Sequence, residues 1–363
     1  MTDFAFTNEG SCIAVVGVSR HFGLVARGGG NSESQPGRED AVNKTWGGKL
    51  VVTVVTVVGA LAGGAVGQSS AKQECRLAVV SRLVAKDAPA CDNKLVMQLA
   101  RQGHAFEQNQ LGIASVLALG PDYTEKEALA WFEKAAQQGY APAQVNLAIM
   151  YANGWGTPAN YGAALRWLHA AADQHFALAY YNLGILYMQG KGVRQDNAEA
   201  FRWFQQGADG GDSSAQTNLG YMYDQGLGCE KNLATAAAWY RKAAEAGNPL
   251  GENNLADLYL KGEGLPQDDA AAFSWFQKAA EQGHTGARIK LAYMYAEGRG
   301  TKKDPETAYF WVVAADSAGD ARGREMLHWL EKQLSDAQKA HARERANRLK
   351  QDEPELAAQM YAQ

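Results

Sequence analysis

Tryptophan recurs every 36 residues along this chain, at Trp131, Trp167, Trp203, Trp239, Trp275 and Trp311. Leu111, Leu147, Leu183, Leu219, Leu255 and Leu291 keep the same step, as do Tyr151, Tyr187, Tyr223, Tyr259 and Tyr295. Three ladders with one period and no slip define an internal repeat array. In such an array each unit is one supersecondary element that buries its apolar face only against its neighbours. Counted from Glu107, six units of 36 residues fill 107–322. The formal net charge of −4 gives no basis for binding nucleic acid or an anionic membrane, and no run of five or six like charges and no strongly basic helix occurs.

Every unit reads the same way. A first helix, as in "AQTNLGYMYDQ", carries the Leu and Tyr. Two glycines one residue apart follow: Gly154/Gly156, Gly190/Gly192, Gly226/Gly228, Gly262/Gly264 and Gly298/Gly300. The first of each pair suits a left-handed helix end, where a Cβ is costly. Asn160, Asp196, Asn232, Asp268 and Asp304 then stand where a second helix needs its N-cap. That helix carries Ala-x-x-Trp and usually ends "AAxxG", so small Ala lets the two helices approach and Trp is expected to fill the gap between them.

The pattern A-x-x-x-L-G-x-x-Y-x-x-G-x-G, then Asp, then A-x-x-W-x-x-K-A-A-x-x-G, resembles the Sel-one-like repeat family, a relative of tetratricopeptide repeats. The resemblance covers residues 107–322. The first unit departs from it with Ser115 for Tyr and Ala118 for Gly, and Gly207 and His175 are smaller lapses. It implies an all-α fold, a right-handed α/α superhelical solenoid of helix-turn-helix repeats with divergent capping units. It also implies a role in binding other proteins on a concave face.

One feature exceeds what a helix pair needs. With units numbered from residues 107, 143, 179, 215, 251 and 287, positions 1, 5, 8, 9 and 12 form one apolar seam on a 100° wheel. Positions 3, 7 and 10 lie opposite. They are Val145, Ile149 and Ala152; then Tyr181, Ile185 and Met188; then Thr217, Tyr221 and Asp224; then Asn253, Asp257 and Leu260; then Ile289, Tyr293 and Ala296. Position 4 borders them as Asn146, Asn182, Asn218, Asn254 and Lys290. By analogy with tetratricopeptide arrays this side lines a groove. There the amides could hold an extended peptide backbone, the apolar patch its side chains, and Asp224 and Asp257 a basic residue. The alternative is that the same residues pack between neighbouring first helices or tie a helix to the preceding loop.

The flanks are read separately. "LVVTVVTVVGALAGGAV" (50–66), with Lys44 and Lys49 before it and small residues after it, has the order of a secretory signal peptide cleaved after Gly67 or Ala71. An uncleaved membrane anchor or a buried segment are the rivals. Residues 1–41 read as a disordered or mis-assigned extension, with a true start near Val42, and 42–71 as the signal. Residues 72–106 look like a decayed leading repeat and 323–363 like a partial repeat with a capping helix, in which Ser335 and Gln338 stand at capping-box spacing. Cys75 and Cys91 fall at similar heights in the leading unit and are a disulfide pair if the chain is exported, otherwise two buried thiols. Cys229 is left as a partly buried small residue or a free thiol.

No catalytic constellation accompanies the repeats. The seven histidines match no metal spacing, and "GGG" at 28–30 lacks a following Gly-Lys-Ser/Thr. Ser69-x-x-Lys72 has the spacing of penicillin-binding enzymes without its partner motifs. The expectation is an exported, non-enzymatic, monomeric adaptor for a protein or peptide, without cofactor or metal, in a bacterial periplasm or envelope. It touches a membrane only if 50–66 stays uncleaved. An envelope hydrolase acting on peptidoglycan or β-lactams, of the kind claimed for cysteine-rich relatives, is the alternative. Those relatives repeat their cysteine pairs and this chain does not.

Overall fold

The computed structural model describes residues 15–17, 53–55, 93–116, 124–315 and 321–360. Cys12, Cys75, Cys91, Ser69, Lys72 and most of 50–66 lie outside them. The strands β1 (Val15–Gly17) and β2 (Thr53–Val55) pair antiparallel, Val16 opposite Val54. All else described as regular structure is helical. α1 (Asn93–Arg101) leads into six pairs: α2 (Ala105–Val116) with α3 (Glu125–Gln137), α4 (Ala141–Asn153) with α5 (Tyr161–Ala172), α6 (Ala177–Gln189) with α7 (Asn197–Asp209), α8 (Ser213–Gln225) with α9 (Leu233–Glu245), α10 (Pro249–Lys261) with α11 (Asp269–Glu281), and α12 (Thr285–Glu297) with α13 (Pro305–Ala314). α14 (Ala321–Glu331) and α15 (Asp336–Met360) follow. The described residues form two compact units, meeting in sequence between Ala171 and Ala172.

The caps stand where the sequence places them. Gly154, Gly190, Gly226, Gly262 and Gly298 end their helices at φ 65–77°. Six residues later Asn160, Asp196, Asn232, Asp268 and Asp304 start the next helix, each accepting from first-turn N–H groups. Their own N–H groups donate back to the carbonyls of Tyr151, Tyr187, Tyr223, Tyr259 and Tyr295 at 2.7–3.0 Å. Ser335 and Gln338 form the capping box of α15.

The gap between the paired helices is not filled by Trp. The fully buried residue is the next one along: Phe132, Leu168, Phe204, Tyr240, Phe276 and Val312. These lie four residues after the buried Ala128, Ala164, Ala200, Ala236, Ala272 and Ala308, on the same stripe of the second helix. The rings of Phe132, Phe204 and Tyr240 rest on Gly112, Gly184 and Gly220, where an added Cβ would stand within 2.5–2.7 Å of the ring. Trp, one residue earlier, is rotated 100° to the flank. There Trp131, Trp239 and Trp275 lie half-buried beneath Lys134, Lys242 and Lys278 at 3.9–4.3 Å.

Unit joins unit by two recurrent contacts. The second loop glycine of one unit packs on the opening turn of the second helix of the unit before. A Cβ at Gly156, Gly228, Gly264 or Gly300 would meet the carbonyl oxygens of Glu125, Asn197, Leu233 or Asp269 at 2.2–2.5 Å. Position 2 of the first helix supplies the other contact, donating to the carbonyl eight residues back at the end of the preceding second helix. Gln108 reaches Ala100 O at 2.9 Å, Gln144 Ala136 O at 3.3 Å, Tyr180 Ala172 O at 3.1 Å, Gln216 Ala208 O at 3.4 Å and Arg288 Ala280 O at 2.9 Å. Each of these carbonyls also accepts the N–H three residues on, at 2.8–3.1 Å, so the side chain adds a second bond, from the next unit.

Two glycines with positive φ separate backbone conformation from close approach. Gly211 (φ +87°) has open space around an added Cβ, whereas Gly228 (φ +70°) faces Asn197 O. Gly211→Ala should cost about 1–2 kcal/mol, the left-handed penalty alone. Gly228→Ala should cost a further 1–3 kcal/mol or so for the displaced backbone. Urea unfolding of the two variants checks the ranking, and equal losses would refute the backbone contact.

Candidate functional site

First helices of successive units touch: α6 packs on α8 and α8 on α10. Positions 3 and 4 carry this contact. Asn146 Nδ2 donates to Asn109 Oδ1 at 3.0 Å, and Lys290 Nζ donates to Asn253 Oδ1 at 3.2 Å, both 37 residues apart. Position 4 thus reaches position 3 of the unit before. The position-3 residue one unit before Asn218 is Tyr181, which offers an aromatic ring at that height. Asn218 Nδ2 instead donates to Ser214 O at 2.9 Å in its own helix, as Asn182 does to Leu178 O at 2.8 Å. Their Oδ1 atoms are buried without a partner among the described residues. Asn254 accepts from Asn253 Nδ2 at 3.0 Å and is half-buried.

The fifteen candidate residues therefore divide. Val145, Asn146, Ile149, Asn182, Ile185, Asn218 and Ile289 are buried. Tyr181, Met188, Tyr221, Asp224, Asn254, Asp257 and Lys290 are half-buried, and Tyr293 is 38% exposed. The face that reaches solvent beyond Ala172 is thus Met188, then Tyr221 and Asp224, then Asp257, Lys290 and Tyr293.

Its electrostatics are uneven. Lys290 forms an ion pair with Asp257 and lies 5.3 Å from the Phe276 ring. No cation pairs with Asp224 among the described residues. Burial, reinforced by Asp224, raises the Tyr221 hydroxyl, and burial with Asp224 and Tyr221 does the same to Tyr240, which is hydrogen-bonded to Asn254. Tyr181 is raised by burial and then by Asp212, and its ring stands 6.1 Å from Phe204. His284 caps α12 through Nδ1, accepting from Ala287 N at 3.0 Å. Burial first and Lys290 second push it down to about 4, against Asp257. Among the described residues no group of three His, Cys, Asp or Glu side chains could hold a metal ion, and no helix is long and apolar enough to cross a membrane.

Two features escaped the sequence reading: the position-2 donors and the buried residue after each Trp. The first was hidden because Gln, Tyr and Arg share only the ability to donate. The second was legible as an apolar stripe beside the more conspicuous Trp ladder.

Helix pairs packed in succession by the same kinds of junction make this an α/α-solenoid repeat protein, with a face of uneven polarity on its first helices beyond Ala172. The chain belongs to the Sel1 repeat family, whose model matches residues 110–140, 141–176, 177–212, 213–248, 249–284 and 286–315. It is similar to the crystal structure of a Sel1 repeat protein from Oxalobacter formigenes, with 32% sequence identity, a TM-score of 0.55, and coverage of 68% of this chain and 92% of that one. The protective antigen c5321 of uropathogenic Escherichia coli, which displays an SLR fold, has 25% identity, a TM-score of 0.45 and coverage of 80% and 71%. The immunity protein Pa5087 of Pseudomonas aeruginosa has 17% identity, a TM-score of 0.41 and coverage of 65% and 82%. No curated protein matches the chain with significance.

Asp212 caps α8 beside Tyr181, accepting from Ala215 N at 2.6 Å. Burial raises its carboxyl to about 6, against the pull of the Ala215 and Ser214 N–H groups. Its folded pKa lies above the unfolded value, so the fold binds this proton more tightly. Stability from this group is present at acid pH and lost as pH rises through about 6. Asp212→Asn keeps a capping oxygen. It should stabilise the protein at pH 7.5 by on the order of 1 kcal/mol or more, and by a clearly smaller amount at pH 4.5, near the foot of the window between 3.8 and about 6. Urea midpoints at the two pH values test this; an equal effect at both would remove the titration.

Proposed function

We propose that this protein is an exported, non-enzymatic adaptor that holds an extended protein segment along the first-helix face, with an apolar side chain near Met188 and a basic one at Asp224. The Sel1 repeat solenoid is a fold typical of protein–protein interaction adaptors. The observation that carries the finer reading is the contrast between Asp257, already matched by Lys290, and Asp224, half-buried beside Tyr221 with no cation paired to it among the described residues. A carboxylate in that setting favours a Lys or Arg brought by a partner, and the neighbouring aromatic ring adds to its attraction. Mostly buried positions along the same face limit the partner to a narrow strip, which suits an extended chain.

Export is proposed on the sequence around 50–66, whose charged lead-in, apolar run and small-residue exit suit a cleaved signal. An exported location suits a binding role for the monomer in a bacterial envelope. If the run stays in place, the same adaptor is tethered to the membrane.

A library of immobilised unstructured peptides, probed with the protein from residue 68 onward, tests the reading. Peptides retained by the wild type should carry an apolar residue followed by Lys or Arg. Asp224→Asn should lower affinity for these at least about tenfold, the worth of one charge-assisted hydrogen bond. Met188→Asp should weaken apolar and basic peptides alike, and Lys231→Glu, on the exposed loop, should change nothing. Retention insensitive to both face variants would overturn the assignment of the face.

A further inference from the structure

The position-2 contact between units has one exception. Gln108, Gln144, Tyr180, Gln216 and Arg288 each donate to the carbonyl eight residues back. Position 2 of the fifth unit is Glu252, and its counterpart carbonyl is that of Ala244. Glu252 is as buried as the others, 2% exposed. As a carboxylate it has no proton to donate. Its other side is occupied as in the first unit: Gln282 Nε2 donates to Glu252 Oε2 at 2.7 Å, just as Gln138 Nε2 donates to Gln108 Oε1 at 2.7 Å. Glu252 thus sits in a glutamine's place, with a glutamine's acceptor contact made and its donor contact dependent on a proton.

We propose that Glu252 is a proton-dependent tie between the fourth and fifth repeats: with a proton it donates to the Ala244 carbonyl and closes the junction, and without one it leaves that carbonyl only the Gly247 N–H of its own unit and places a charge in the seam. One solvent proton is taken up on closing and released on opening, and no other bond changes.

The surroundings set where this happens. Burial raises the Glu252 carboxyl to about 7, with Lys278 pulling it down and Glu281 pushing it up. Both charged groups project from α11, while Arg241, Lys242 and Glu245 of α9 are exposed to solvent. Because the folded value exceeds the ordinary 4.5, the fold binds the proton more tightly than the unfolded chain. The tie is therefore present at acid pH and lost as pH rises through neutrality. The adjacent junction is made by Arg288, whose guanidinium carries donors only. Arg288 also reaches Ala314 O at 2.9 Å, binding two helix ends at once.

Amide hydrogen exchange, corrected for intrinsic rates, reads the junction directly. Gly247 N donates to Ala244 O at 3.0 Å and Asn248 N to Ala243 O at 2.9 Å, so both amides report on the end of α9. Between pH 6 and pH 8.5 their protection should fall on the order of tenfold, the equivalent of one pKa unit of coupling. Gly283, which donates to Ala280 O at the Arg288 junction, should keep its protection. In Glu252→Gln, protection at Gly247 and Asn248 should stay high and flat across the range. Two exposed variants keep the proposal testable if that one misfolds: Lys278→Gln should move the midpoint of the change up in pH, and Glu281→Gln should move it down. A flat response in the wild type, the same fall in Glu252→Gln, or midpoints unmoved by the α11 variants would each overturn the tie.

Discussion

A 36-residue helix pair cannot bury its own apolar stripe, so the junction between consecutive units carries the fold. Two backbone demands meet there. The end of the second helix presents a carbonyl that accepts one N–H of its own turn and can take a second donor, and in every junction but that of Glu252 position 2 of the next first helix supplies it, from side chains as different as Gln, Tyr and Arg. On the other side of the unit, the second loop glycine lies so close to a preceding carbonyl that no Cβ fits. Together these contacts fix the spacing of the units, and the apolar packing follows from that spacing. Small residues on the first helices admit the rings of Phe132, Phe204 and Tyr240, which places Trp131 and Trp239 on the flank under Lys134 and Lys242.

The same spacing decides what the first helices can offer a partner. Where units approach, positions 3 and 4 are used for contact with the next first helix, as in the Asn146–Asn109 and Lys290–Asn253 pairs. Positions 7 and 10 lie further out, and there the side chains reach solvent in the later repeats. One face therefore combines a packed seam with a strip of surface. The uneven distribution of charge along the strip, with Asp257 paired to Lys290 and no cation paired to Asp224 among the described residues, gives it a direction.

Departures from the repeat sit at junctions. His175 takes the left-handed position (φ 58°) that glycine holds in other units, and its Nδ1 lies 3.1 Å from the hydroxyl of Tyr180, itself a substitute for glutamine at position 2. Glu252 and Arg288 replace the same glutamine with opposite charges in consecutive units. A solenoid tolerates such changes because each unit answers only to its neighbours. Individual junctions can therefore differ in stability without altering the fold.

By itself the sequence determined the period, the helix pairs, their caps and the glycine turns, because these depend on residues within one unit and on local rules of backbone geometry. Asp268 and Gly262 could be assigned their roles without knowing what lay beside them. The second apolar face was legible as a pattern at Tyr181, Ile185 and Met188, yet its division into seam and surface was not. That division depends on the distance between successive first helices, which a wheel drawn on one helix does not contain. Nor did the sequence show that Phe204 rather than Trp203 enters the gap, or that Glu252 occupies a donor's place. These were decided by the tertiary structure, where burial and hydrogen bonding are set between units that the 36-residue period brings together.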